Sequence, residues 1–180
     1  GTEYSAASYK MTVNVDSVND LPTAAANAIT IAEDATRVFA VADFGFSDID
    51  EGDALTEVQI TAVPSRGSLF FDTAPANDAV DAGEEATVGL LVPTSRLSAF
   101  KFAPAANDSG MEYASFGFKV KDGTAYSADG YTIDIHVNPV NDPPTSSAGS
   151  VSIFEDGQRT FSPDDFPYSD VEGSGLTKMK

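Results

Sequence analysis

Two stretches of this chain decide its organisation: "YTIDIHVNPVNDPPT" at residues 131–145 and "YKMTVNVDSVNDLPT" at residues 9–23. Each joins an alternating apolar run to an Asn-Asp-x-Pro phrase. When residues 1–23 are set over residues 123–145, 12 of 23 positions are identical without a gap. The register continues beyond the phrase, since Glu33-Asp34 falls on Glu155-Asp156 and Asp43-Phe44 on Asp165-Phe166.

This spacing predicts tandem repeats with a period of 122 residues. Residues 1–21 are the C-terminal end of a preceding repeat. Residues 22–142 form a complete repeat, and residues 143–180 form the N-terminal part of a following one. The chain starts at Gly1 without a signal peptide, and we expect it to be a section of a longer protein.

Within the complete repeat, apolar and polar residues alternate at 57–62, 115–120 and 132–137. A period of two indicates β-strands that bury one face. Shorter apolar runs, separated by Gly-, Pro- and Asn-rich turns, predict four more strands. These four lie at 29–31, 69–71, 88–92 and 97–102. Seven strands in about 120 residues predict an all-β fold, an antiparallel β-sandwich with almost no helix.

Composition excludes several classes of function. The net charge of -18, from 28 acidic and 10 basic residues, argues against binding to nucleic-acid phosphates. The chain has no cysteine, which excludes disulfides and thiolate metal sites. It has no apolar run of about 18 residues, so we expect no membrane insertion in this segment.

The acidic residues cluster near predicted strand ends, where a sandwich gathers its loops at two poles. If Asp20, Asp48, Asp50 and Asp122 meet at one pole, their mutual repulsion calls for a cation. Oxygen ligands without His or Cys select a hard ion, and Ca²⁺ tolerates irregular loop geometry better than Mg²⁺ does. The alternative is that these residues only form solvated turns. The loop from Asp48 is not an EF-hand, because Gln59 occupies the position of the bidentate Glu.

Four motifs in order carry a resemblance to a known family: the Glu after the first strand, "DIDEGDALTEVQI" from Asp48, "FGFKVKDG" from Phe116, and the strand that leads into "VNPVNDPP" from Val137. In this order they resemble a cadherin repeat. They are most similar to the cadherin-like tandem repeats of large secreted bacterial adhesins of the RTX type. The resemblance implies a Greek-key sandwich, calcium at the repeat junctions, and a role in cell adhesion outside the cell or on its surface.

The resemblance also implies two sets of calcium ligands. At the first junction they are Asn19 and Asp20 from the linker with Asp48, Asp50 and Asp122 from the following repeat. At the second junction they are Glu33, Asn141, Asp142, Asp170 and Glu172, with Asp108 as a further candidate. Ser17 and Leu21, or Pro139 and Pro143, stand where the family's linker carries Asp and Asn, which implies one or two ions per junction rather than three.

The resemblance implies partners as well: neighbouring repeats of the same chain, then like molecules or cell-surface glycans. A carbohydrate-binding sandwich is the alternative function, with tyrosines 4, 9, 126 and 131 as candidate stacking residues. An enzyme is not expected, because no acid, base and nucleophile converge in the sequence and the single histidine, His136, lies on the outward phase of a strand.

Residues 143–180 cannot close a sandwich by themselves, and the alignment ends them inside a predicted strand. An unpaired strand edge invites pairing with another chain. We therefore expect this segment to pair with the strands of a neighbouring molecule.

Overall fold

The computed structural model describes residues 1, 3–4, 7–73 and 77–178, and its regular structure is mainly β. Strands account for 31% of the residues and helices for 8%, which confirms the expectation of a β-rich chain with little helix. The ten strands are β1 Asn27–Ala32, β2 Arg37–Val38, β3 Glu57–Ala62, β4 Ser68–Phe71, β5 Leu91–Pro93, β6 Phe100–Ala103, β7 Gly110–Lys121, β8 Tyr131–Asn138, β9 Thr145–Ser146 and β10 Tyr168–Ser169.

Strands β1 to β8 form two sheets. The larger has the order β1-β8-β7-β3-β5, and the smaller has the order β2-β6-β4. All pairs are antiparallel except β1 and β8, which run parallel with Ile29 opposite Ile135. The prediction of a fully antiparallel sandwich is therefore wrong at this one pair. Residues 33–130 connect β1 to β8, and a connection of that length permits parallel pairing.

One hydrophobic core lies between the two sheets, an arrangement compatible with a β-sandwich. Aromatic rings dominate it: Phe39 contacts Phe100 and Phe116 with ring centroids 5.3 Å apart in both pairs. Phe44 packs edge-on against Phe118 at 5.1 Å. Aromatic pairs at these separations stabilise a core beyond the area they bury.

The period of two predicted the buried face of β8. Ile133, Ile135 and Val137 are at most 2% exposed, whereas Thr132 and Asp134 are exposed. Alternating side chains of a strand point to opposite faces, so this strand covers the core on one side only.

The region 88–103 differs from the prediction. A 3₁₀ helix, Thr94–Ala99, occupies the first half of the strand predicted at 97–102, and β6 begins only at Phe100. Leu97 and Phe100 are three residues apart and both buried, which is the spacing of one 3₁₀ turn. In the run predicted at 88–92, Gly89 has φ +91° and regular pairing begins only at Leu91. The two-residue strand β2 was not predicted, because two residues show no period.

Two further 3₁₀ helices occupy equivalent places before and after the second linker, Val41–Phe44 and Pro163–Asp165. In each, an Asp carboxylate accepts hydrogen bonds from an Arg six residues earlier and from the backbone N–H three residues earlier. The pairs are Arg37 with Asp43 and Arg159 with Asp165.

No helix among the described residues is long and apolar enough to cross a membrane.

Candidate metal centres

Three carboxylates meet at one end of the larger sheet. Asp48 and Asp53 lie in the loop before β3, and Asp122 directly follows β7. Oxygens from all three lie within 4.8 Å of one another, a spacing found for no other group of three His, Cys, Asp or Glu side chains in the part of the chain that the structure describes. The strands bring them together because β3 and β7 pair with Glu57 opposite Lys121.

The first linker contacts this cluster directly. Asn19 donates its side-chain amide to Asp122 Oδ2 at 3.2 Å, and the backbone N–H of Asp20 donates to Asp50 Oδ2 at 2.7 Å. The N–H of Asp50 in turn donates to Asp48 Oδ1 at 2.9 Å. The linker and the loop are thus connected through carboxylates, which is the grouping predicted for Asn19, Asp20, Asp48, Asp50 and Asp122.

The surroundings of Asp122 favour its ionised form. Burial favours a higher pKa for its carboxyl, but hydrogen bonds from the backbone of Ala125 and Thr124 and from Asn19 outweigh burial and leave the pKa lowered. The two backbone bonds, at 2.7 and 2.6 Å, both go to Oδ1. Oδ2 is left facing the linker, with Asn19 as its donor.

The surroundings of Asp53 shift its pKa in the opposite direction to that of Asp122. Partial loss of solvent around its carboxyl, and then the negative charges of Asp48, Asp122 and Asp50, raise its pKa. Crowding of like charges disfavours ionisation unless a cation offsets it. In addition, Asp48 Oδ2 is buried without a hydrogen-bond partner. A buried acceptor without a donor is costly, and a bound cation would satisfy it.

A second cluster lies at the opposite end of the larger sheet, where β1 and β8 end. The N–H of Asp142 donates to Glu172 Oε1 at 3.0 Å, and the N–H of Val140 donates to Glu33 Oε1 at 2.5 Å. Asp142 Oδ2 is also buried without a partner. Loss of solvent, followed by the charges of Glu172, Asp34, Glu33 and Asp170, raises the pKa of Asp142.

This second cluster is looser than the first. Asn141 donates its side-chain amide to the carbonyl of Asp142 at 2.8 Å rather than to a carboxylate. Asp170 accepts the N–H of Ser174 at 2.9 Å, which lowers its pKa. Asp108 is engaged elsewhere, since it pairs with Arg66 and accepts the hydroxyl of Tyr113 at 2.9 Å. The structure therefore gives Asp108 another role than the one expected.

Two participants were missed by the sequence reasoning, Asp53 and Asp34. The signal for Asp53 was the "DEGD" turn at 50–53, in which Gly52 takes φ +97° and the N–H of Asp53 donates to the carbonyl of Asp50. A turn there returns Asp53 toward Asp48. Asp34 was visible beside Glu33, but its proximity to Asp142 depends on the path of the linker.

The candidate stacking residues divide into two groups. Tyr4 and Tyr9 are 93% and 86% exposed. Tyr126 instead donates its hydroxyl to Glu57, and Lys121 lies over its ring. Burial, followed by the contact with Glu57, raises the pKa of Tyr126 to about 12. Tyr131 packs against Phe118 at 5.9 Å. The rings of Tyr126 and Tyr131 are therefore already engaged within the protein.

His136 hydrogen-bonds through Nδ1 to the carbonyl of Met111 and is half-buried on the outer face of β8.

The comparisons with known proteins add no relative: no protein-family model, curated protein or solved structure matches this chain.

Proposed function

We propose that this chain is a calcium-binding structural section of a secreted or cell-surface adhesin, in which cations at the linkers stiffen a row of cadherin-like repeats. One observation carries the proposal. At both linkers the chain contacts a group of carboxylates, and in each group one buried carboxylate oxygen, of Asp48 or of Asp142, has no hydrogen-bond partner.

The recurrence of contacts supports the tandem organisation. Asn19 donates to the carbonyl of Asp20 at 2.6 Å, and 122 positions later Asn141 donates to that of Asp142 at 2.8 Å. The Asp20 amide donates to Asp50, as the Asp142 amide donates to Glu172, which aligns with Asp50. Both linkers thus meet the following segment through the same backbone contact.

Strand order supports the cadherin-like, Greek-key assignment. The smaller sheet joins the second, sixth and fourth strands, and the larger joins the third, seventh and eighth. This is the distribution of strands B, E, D and C, F, G over the two sheets of an immunoglobulin-type sandwich. The extra strand β5 lies at the edge beside β3.

Ligand chemistry favours calcium. Every candidate ligand is a carboxylate or amide oxygen on a loop or linker, and the groups are strongly acidic. Calcium accepts six to eight such oxygens at irregular angles, whereas magnesium requires near-ideal octahedral geometry. Binding would join the linker to the loops and remove bending freedom at the junction.

The test is thermal unfolding of the chain in EDTA, in CaCl₂ and in MgCl₂. A ligand at 100 times its Kd stabilises the folded state by about 2.7 kcal/mol, which raises Tm by several degrees in a domain of this size. We expect a rise specific to calcium, reduced in Asp122→Asn. The matched control is Asp134→Asn, an exposed Asp on the outer face of β8. An equal Tm in EDTA and CaCl₂ would reject the proposal.

A further inference from the structure

Strands β1 and β8 lie on the direct path between the two linkers. The chain enters β1 at Asn27, shortly after the first linker, and leaves β8 at Asn138, just before the second. The two strands pair in parallel over six residues, from Asn27 opposite Ile133 to Ala32 opposite Asn138. The start of β1 and the end of β8 therefore lie at opposite ends of one ladder of hydrogen bonds.

This arrangement determines how tension acts on the repeat. Pulling on both linkers draws β1 toward the first and β8 toward the second, so the two strands are forced to slide along each other. While they remain paired, residues 33–130, which connect them, carry no load. The bonds of a parallel pair are evenly spaced along the strands. All of them must therefore break together before the chain can lengthen.

Contacts beyond the strands extend the ladder toward the second linker. The N–H of Glu33, directly after β1, donates to the carbonyl of Asn138 at 2.9 Å. The N–H of Val140 donates in return to the Glu33 carboxylate at 2.5 Å. Glu33 is only 7% exposed, so its carboxylate has little contact with water. A hydrogen bond in such surroundings is electrostatically stronger than one in water.

The ladder uses every second N–H of β1. Because the N–H groups of successive strand residues point in opposite directions, Ile29 and Ile31 direct theirs to β8, as Glu33 does. The N–H of Ala28 points the other way and donates to its neighbour's side chain instead. That of Thr30 likewise faces the open side of β1, which is an edge strand of the larger sheet.

Side-chain burial holds β1 less firmly than the ladder does. Of its six residues, Ile29 alone is buried, and Ile31 packs partly buried against the core. Strand β8, by contrast, buries three residues and also pairs with β7. The hydrogen bonds to β8 are therefore the main attachment of β1 along the direction of tension.

We propose that β1 and β8, together with the contacts between Glu33 and the segment 138–140, are a clamp that bears tension between the two linkers. This inference rests on the proposed function, because an attached adhesin transmits pulling force along its chain. The clamp consists of contacts within the protein and requires no metal ion. Its test is therefore independent of calcium binding.

Pulling single molecules in two directions tests the clamp. The chain has no cysteine, so a pair of introduced cysteines fixes the two points at which force is applied. Ala26→Cys with Val140→Cys places these points at opposite ends of the ladder, and tension makes the strands slide. Ala35→Cys with Val140→Cys places both at the same end, and tension peels the strands apart bond by bond. The two variants differ only in which side of β1 carries the first cysteine.

We expect a several-fold higher unfolding force for the Ala26 pair than for the Ala35 pair at the same pulling speed. In the Ala26 pair, residues 27–140 become extended, so a gain of roughly 400 Å in length identifies the event. Equal thermal melts show that both variants are equally well folded. Equal forces in the two directions, or a higher force for the Ala35 pair, overturn the proposal.

Proline substitutions test which bonds bear the load. Proline lacks the N–H, so Ile31→Pro removes a bond of the ladder. Thr30→Pro removes an N–H at the open edge, where proline is tolerated. In the Ala26–Val140 direction, we expect a lower force for Ile31→Pro than for Ile31→Ala, which shortens the side chain and keeps the N–H. Thr30→Pro should leave the force unchanged. Equal forces for the two Ile31 variants contradict the proposal, and if Ile31→Pro fails to fold, the two pulling directions decide.

Glu33 belongs both to the clamp and to the second group of proposed calcium ligands, and two substitutions separate these roles. Glu33→Gln keeps an oxygen that accepts the Val140 N–H but removes the charge, whereas Glu33→Ala removes both. We expect the unfolding force in EDTA to fall in the Ala variant only. The calcium-dependent rise in Tm should shrink in both. Equal losses of force in the two variants would contradict the role of Glu33 in the clamp.

Force in EDTA and Tm in CaCl₂ separate this inference from the proposed function. A direction-dependent force in EDTA, without any calcium-dependent change in Tm, would leave the clamp and reject the calcium-binding stalk. A calcium-dependent Tm in a chain that unfolds at the same force in both directions would do the reverse.

Discussion

Residues 22–142 and the C-terminal segment, residues 143–180, have related sequences and share several local contacts, yet the burial of their equivalent side chains differs. Asp34 and Asp156 both take positive φ, at 61° and 59°, and both segments form the Arg-Asp pair beside a short 3₁₀ helix. Phe39 is nevertheless 2% exposed and Phe161 57%. Local hydrogen bonds shape the chain in both places, whereas burial requires strands that come from far along the sequence.

The largest expected effect is on the free energy of unfolding, when the equivalent residues Phe39 and Phe161 are each changed to alanine. Phe39→Ala should cost about 3–5 kcal/mol of unfolding free energy, because it removes a buried ring that contacts Phe100 and Phe116. Phe161→Ala, at the equivalent position, should change it by only about 0.5 kcal/mol, because the ring is largely exposed. Urea unfolding followed by circular dichroism measures both.

Both variants are measured at the same protein concentration and temperature, so that the two losses are directly comparable. A loss of similar size in both variants would show that the C-terminal segment has a packed core of its own in solution.

An intermediate effect concerns pH at the two linkers. The pKa of Asp53 is raised by partial loss of solvent and then by Asp48, Asp122 and Asp50. Such a group holds its proton in the folded state at a pH where the unfolded chain has released it. Without calcium, its contribution to stability therefore increases as pH falls through the raised pKa, and it is complete below the pKa of the unfolded chain.

Calcium favours the ionised carboxylate and opposes this proton uptake. The rise in Tm produced by calcium should consequently shrink as pH is lowered from 7 through the raised pKa of Asp53 and of Asp142. Asp53→Asn should flatten the pH dependence relative to the parent chain, and Asp134→Asn should not. Calorimetric melts with and without calcium at a series of pH values measure this dependence. A rise in Tm that is the same at every pH would contradict the expectation.

The smallest expected effect is on calcium affinity, and it tests the one methylene group by which the acidic side chains at the two linkers differ. Asp50 accepts the linker amide at the first junction, and Glu172 accepts it at the second. Asp50→Glu should therefore preserve the contact and change calcium affinity by less than about tenfold, equivalent to 1.4 kcal/mol. Titration calorimetry measures this change, with Asp50→Ala as the variant that removes the ligand. Equal losses in Glu and Ala variants would mean that the first junction needs the shorter side chain.

Much of the strand pattern could be predicted from the sequence, because the alternation that indicates a strand extends over only a few residues. Alternation over 132–137 predicted which side of β8 is buried, and the two-residue strand β2 was missed because it is too short to show a period. The strand predicted at 97–102 overlaps the 3₁₀ helix Thr94–Ala99 at residues 97–99. The run was too short for its period to separate the two structures, although the three-residue spacing of Leu97 and Phe100 is that of a 3₁₀ turn.

The first candidate site was predicted in outline. Asp48, Asp50 and Asp122 were recognised as acidic residues near strand ends, and the structure brings all three to the first linker. Asp53 was not singled out, because its approach to Asp122 depends on a turn at Gly52 and on the pairing of β3 with β7.

The sequence alone determined the strand pattern, the phrase that recurs after 122 residues and the excess of negative charge. The period of two and the turn residues act over a few positions, so they need no tertiary information. Only the tertiary structure decided that β1 runs parallel to β8, and which carboxylates converge with one oxygen left unpartnered. Those features join residues as much as 107 positions apart, as between Glu33 and Val140, and their geometry is set by how the sheets pack.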